Sequence, residues 1–186
     1  MKAILMSIRP QHLVNILNGD KTIEIRKTIP KCELPIDVYL YCTKGKPLFR
    51  LPTNDKKEWF VEVPYGWVVW RDDKGFNGKV VAKFTLNKIE DCCDMSLPEL
   101  ENKSLLNINE ICSYIKAKEV DPKMVYAWHI DNLEIFDKPK ELGEFHYFKK
   151  RLIDCGRDWP LYFGEVKTQV RKAPQSWQYA YIEEEK

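Results

Sequence analysis

The segment Gly19-Asp20-Lys21-Thr22-Ile23-Glu24-Ile25-Arg26 constrains this chain more than any other. It follows a short stretch, 11–18, in which Leu13, Val14, Ile16 and Leu17 form an apolar stripe at helical spacing. Pro10 fits the first turn of that helix, and Asn18-Gly19 supplies its stop. The residues beyond the glycine alternate, which predicts a strand over 22–26. On a strand, Thr22, Glu24 and Arg26 share one face while Ile23 and Ile25 share the other. The isoleucines then enter the core, and a carboxylate and a guanidinium project side by side with Lys21 reaching over the same spot. Two fixed cations around one carboxylate suit a polyanion or a polar planar group such as a nucleobase. The same alternation also describes the solvated outer face of a sheet, where a Glu–Arg pair contributes little.

The rest of the chain predicts short strands interrupted by helices. Residues 3–8 read as a first strand and 37–43 as another, with Val38, Leu40 and Cys42 on one face and Tyr39 and Tyr41 on the other. Residues 79–90 and 124–136 read as long strands, the second ending before Pro139, and 177–182 as a closing strand. Ser96-Leu97-Pro98-Glu99 opens one helix with Ser96 as N-cap, and Ile108, Ile111, Cys112 and Ile115 mark an amphipathic helix over 107–118. A short helix is expected within 144–158, carrying Phe145, Phe148 and Leu152, with Lys149-Lys150-Arg151 on its outer side. The aromatic stretch from Trp59 to Trp70 reads as a hairpin, Val61 to Val63 against Trp67 to Arg71.

Size and charge bound the functional classes. A chain of 186 residues suits one well-packed domain. Its longest apolar runs fall far short of the ~20 residues that cross a bilayer. The opening Met1 to Ser7 is broken by Arg9 and Pro10 too soon for a signal peptide, so a cytoplasmic protein without membrane association is expected. A net charge of +2 does not by itself advertise a nucleic-acid binder. The distribution says more: residues 1–50 hold nine Lys and Arg against four Asp and Glu, whereas residues 87–137 hold five against eleven. The six cysteines contain no C-x-x-C pair, so neither a metal site nor any cofactor is expected, and buried apolar thiols are the ordinary reading.

The motif carries a resemblance. Ile4 to Pro10, the helix, and the complete pattern Gly19, Lys21, Glu24, Arg26 (G-x-K-x-x-E-x-R) resemble the ASCH domain family, whose fold is related to the PUA domain. Val38 to Lys44, Gly78 to Phe84 and Tyr126 to Ile130 resemble later strands of that family, and Ala173 to Tyr179 resembles the tail of its phage and bacterial members. The resemblance implies an α+β fold: a small PUA-like β-barrel of mixed sheet, decorated with several helices. One domain over 1–186 is expected, with an elaboration at about 44–78 and an unplaced C-terminal extension at about 140–186. It also implies an RNA or nucleotide-like ligand in a cleft lined by the motif.

Lys21, Glu24 and Arg26 are therefore the first candidates for ligand contact. Arg9 is a candidate third cation, and Tyr41 and Trp128 are candidates to stack on a base. A rival reading makes the protein a hydrolase, either a ribonuclease or an amidohydrolase on a modified nucleoside, with Glu24 as base and Lys21 as its partner. Family members that deacetylate a modified cytidine use a threonine nucleophile where this chain has Glu24, so that chemistry does not transfer. His129 is a further catalytic candidate, or a structural histidine. Ser176 lacks an elbow motif and is not read as a nucleophile. A protein-interaction module, with the aromatic 59–70 segment as its surface, is a third reading. The basic residues Lys149, Lys150, Arg151, Arg157, Arg171 and Lys172 would track a phosphate backbone or form a solvated face. Oligomeric state is left open.

Overall fold

A computed structural model describes residues 1–52, 57–61, 75–115, 125–153 and 162–183. Strand β1 (Lys2–Ile8) is buried along both faces, which explains its unbroken apolar run, and it lies parallel to β3 (Ile36–Cys42). These two are central in a seven-stranded mixed sheet. With β6 (Val80–Leu86), β9 (Asp131–Lys140), β10 (Phe145–Ile153), β11 (Tyr162–Gln169) and β12 (Trp177–Ile182), the order is β11-β10-β12-β1-β3-β6-β9. A second sheet has the order β2-β8-β7, from Ile23–Arg26, Tyr126–His129 and Ile89–Asp91. A separate hairpin pairs β4 (Phe49–Pro52) with β5 (Lys57–Phe60). Among the described residues three helices complete the α+β fold: α1 (Pro10–Leu17), α2 (Leu97–Ser104) and α3 (Ile108–Ile115). No described helix is long and apolar enough to cross a membrane.

The sheet separates two cores. Ile4, Met6, Val38 and Leu40 pack with α1 residues Leu13 and Ile16 on one face, while Ala3, Leu5, Tyr39 and Tyr41 pack with Phe145 and Ala180 on the other. The split of Val38 and Leu40 from Tyr39 and Tyr41 is the one their alternation predicts. A third cluster joins Ile23 and Ile25 of β2 to Leu100 of α2 and Ile111 of α3, and this seats the second sheet on the helices.

Several expectations need correction. Pairing among the described residues leaves β11 and β9 at the two ends of the large sheet and closes no barrel. Residues 79–90 are two strands in different sheets, β6 and β7, and 124–136 is likewise divided between β8 and β9. β9 continues through Pro139, which an outermost strand tolerates because no ladder bond is needed on its free side. The expected short helix over 144–158 is instead strand β10, with Lys149, Lys150 and Arg151 exposed. Only Phe145 and His146 of β10 pair with β12; the remainder pairs with β11 alone as an exposed ribbon. With no buried face there, the period of two is missing from the sequence. The hairpin expected at 61–71 and residues 116–118 of the expected helix lie outside the described residues, apart from Val61.

Candidate functional site

The site begins where α1 stops. Asn18 remains helical, and Gly19 takes φ +85°, the left-handed conformation a glycine adopts without steric penalty. Gly19 N–H donates to Ile16 O at 3.0 Å and Asp20 N–H to Asn15 O at 2.9 Å, the paired bonds of a Schellman ending. Lys21 N–H also donates to Asn15 O at 3.0 Å, so the chain reverses tightly. The Lys21 side chain is thereby turned into the protein, where it is 1% exposed.

Its Nζ donates to Ser104 O at 2.5 Å, at the last residue of α2. That carbonyl belongs to a helix terminus without an intrahelical partner, where a cation also meets the negative end of the helix dipole. Thr22 N–H donates to Lys103 O at 3.0 Å, which fastens the same junction through the backbone. Glu24 lies between the two cations: Oε2 is 3.4 Å from Lys21 Nζ, and Oε1 is 3.1 Å from Arg26 Nη2. Arg26 Nη2 also donates to Ser7 O at 3.1 Å, and Nη1 donates to Ser176 Oγ at 3.1 Å. Ser7 Oγ in turn donates to Pro174 O at 2.7 Å, and Ser7 N–H to Ser176 O at 2.9 Å. Arg26 thus ties β2 to β1 and to the segment entering β12. Its Nε is buried with no hydrogen-bond partner.

These side chains form one wall of an open cleft of about 1310 Å³. The start of α1 contributes Arg9, Gln11 and His12; α3 and its approach contribute Asn107, Glu110 and Tyr114; Gln175 and Ser176 close a third side. Four lining cations, Arg9, Lys21, Arg26 and Lys27, face two carboxylates, Glu24 and Glu110. Burial pushes the His12 imidazole below its ordinary 6.5; Lys21 and Arg9 push the same way, and Glu24 and Glu110 oppose them. Lys27 Nζ sits 4.8 Å from the centroid of the Tyr114 ring, which is 39% exposed.

Lys21, Glu24, Arg26 and Arg9 accordingly share one hollow. Tyr41 and Trp128 do not line it. Tyr41 belongs to the second core, and Trp128 is fully buried against Trp177, so neither offers a free ring face to the cleft. His129 bonds to Glu90 in the second sheet and is also away from the lining. Trp59, from the aromatic segment, is buried in the first core, and most of that segment lies outside the described residues. No three His, Cys, Asp or Glu side chains group to hold a metal among the described residues.

Sequence reasoning missed His12 and Tyr114 as cleft residues; it put Ser7 on the face of Arg9 without a role and weighed Ser176 only as a nucleophile. Tyr114 carried a faint signal, as a large aromatic beside the apolar stripe of α3. Ser176 carried none, because its partner Arg26 is 150 residues away.

No family model matches the chain, and no curated protein sequence matches it. The fold is similar to that of ASCH from Zymomonas mobilis. The likeness has a TM-score of 0.49 at 15% identity and covers 75% of this chain and 73% of that one. A tyrosine-to-phenylalanine mutant of the same protein gives 0.48 at 16%, over 76% and 77%. A serine-to-alanine mutant gives 0.49 at 15%, over 75% and 74%. Likeness at this level assigns no residue a role.

Proposed function

We propose that the cleft binds RNA or a nucleotide-like ligand through Lys21, Glu24 and Arg26. The observation that carries this reading is that two nearly buried cations share one carboxylate on the wall of an open, cation-rich hollow. Both Glu24 oxygens already face a cation, so the carboxylate aligns the cations more readily than it accepts a substrate proton. Arg26 keeps one Nη1 hydrogen unengaged, a charge-assisted donor for a phosphate oxygen or a base edge. The Ser176 hydroxyl accepts from Arg26 and retains its own proton to donate. Tyr114 of α3 supplies a partly exposed ring, and the face that Lys27 leaves uncovered is a surface on which a base can stack.

His12 gives the hydrolase reading one supporting observation. A histidine held toward its neutral form, in the same cleft as Glu24 and Lys21, has the properties of a general base. The two readings part in one experiment with labelled single-stranded RNA, scored by anisotropy for binding and by gel for integrity. Binding alone predicts intact RNA and an affinity that Arg26→Ala lowers by about tenfold or more, as loss of a charge-assisted hydrogen bond implies. A hydrolase with His12 as base predicts cleavage that His12→Asn abolishes while binding persists. Wild-type affinity in Arg26→Ala, with folding intact, defeats the proposal.

A further inference from the structure

A second hollow of about 580 Å³ lies on the sheet face that carries the Tyr39 core, at the β10–β11–β12 end. Arg151 of β10, Lys167 of β11, and Arg171 and Lys172 just beyond β11 all line it, and no Asp or Glu does among the described residues. Lys167 is paired with Glu183, which leaves Arg151, Arg171 and Lys172 as its effective charge. All three are exposed and stand around the rings and amides of Tyr147, Gln169 and Gln178.

The position of this hollow matters as much as its sign. Arg171 and Lys172 are followed directly by Ala173, Pro174, Gln175 and Ser176, and the last two line the first cleft. The three peptide steps from Lys172 to Gln175 span at most ~11 Å, about three nucleotides at the ~3.4 Å spacing of a stacked strand. The strap is firmly seated: Val170 and Ala173 pack in the second core, Ser7 Oγ holds Pro174 O, and Ser176 O accepts from Ser7 N–H. The two basic hollows are therefore held at fixed separation.

The geometry points to one continuous track. A single-stranded RNA held in the Lys21–Arg26 cleft crosses the 173–176 strap and lays its next phosphates against Arg151, Arg171 and Lys172. This rests on the cleft's holding RNA, and the experiment keeps the two apart. Labelled oligouridylates of about 4 and about 12 nucleotides, lengths within the site sizes of single-strand binders, are titrated by anisotropy over a range of salt. Proteins compared are wild type, the triple variant Arg151→Gln/Arg171→Gln/Lys172→Gln, and Arg26→Gln.

The expected result is that wild type binds the long oligomer more tightly than the short one. The triple variant keeps the short-oligomer affinity and loses the advantage of the long one. Its log K against log salt slope for the long oligomer falls by about 2, as loss of three phosphate contacts on a single strand requires. Arg26→Gln weakens both lengths. The track is overturned if the triple variant, with unchanged circular dichroism and melting, binds the long oligomer with wild-type affinity and slope. It is also overturned if both lengths weaken equally, or if only binding to phosphatidylserine vesicles is lost. Undisturbed binding of both lengths by Arg26→Gln refutes the cleft reading instead, and the track with it.

Discussion

Lys21→Met probes the framework of the site. The methionine nearly conserves side-chain volume, so the change removes a charge without opening a large cavity. It deletes the 2.5 Å bond to Ser104 O and the 3.4 Å approach to Glu24 Oε2. The Ser104 carbonyl is then left unpaired in a residue that is fully buried. Breaking a buried ion pair costs about 3–5 kcal/mol when one charge is stranded, but Glu24 keeps Arg26 as a partner. A loss of about 2–3 kcal/mol follows, chiefly from the charge-assisted bond to the helix terminus. For a chain of this length that lowers the melting midpoint by roughly 5–10 °C. Urea unfolding followed by tryptophan fluorescence measures it, with the m value unchanged. Lys103→Met is the control: that lysine pairs with Glu99 on the exposed face of α2, and its loss leaves the midpoint essentially in place. If Lys21→Met shifts the midpoint no more than Lys103→Met, the Lys21 side chain is not seated against α2 and the reasoning fails.

Other expectations follow from the same geometry. Gly19→Ala meets no atom within 4 Å but must hold φ near +85°, so it destabilises by about 1–2 kcal/mol through backbone strain alone, measurable by the same unfolding assay. His12, whose pKa burial lowers, takes up its proton later in the folded than in the unfolded protein; stability therefore falls as pH drops below 6.5, and His12→Asn flattens that fall. An anionic ligand in the cleft raises the His12 pKa again, which an NMR titration of the imidazole with and without oligonucleotide detects. Burial pushes the Cys42 and Cys92 thiols up to about 12 each, so neither reacts with a disulfide reagent at pH 8 until urea unfolds the chain, whereas the exposed Cys93 reacts at once; peptide mapping distinguishes them.

What the sequence made legible was what lies close together along it. The helix stop, the glycine and the alternating strand are all local signals, and they put Lys21, Glu24 and Arg26 on one wall. The strand over 3–8 was equally readable, but its burial on both faces appears only in the structure. The remaining walls come from elsewhere in the chain: Tyr114 from α3, Ser7 from β1, Ser176 from the segment before β12. Their approach is set by strand order, which no single sequence displays. Tyr41 and Trp128 illustrate the opposite difficulty. Each has the chemistry to stack on a base, but the sheet turns one into the second core and the other against Trp177. The β10 ribbon failed for a third reason: beyond its buried start at Phe145 the strand is exposed from Phe148 to Leu152 and shows no apolar period, and Phe145, Phe148 and Leu152 fall by coincidence at helical intervals.

The most direct test of the account follows the Arg26 Nε–H proton by NMR while a short oligoribonucleotide is added. This group is buried on the cleft wall and lacks a partner, so ligand engagement of the guanidinium must alter its resonance. A saturable shift is expected at the same ligand concentration that saturates the Lys21 and Ser176 amides. An Nε–H signal that stays fixed while amides elsewhere on the protein titrate would contradict the account.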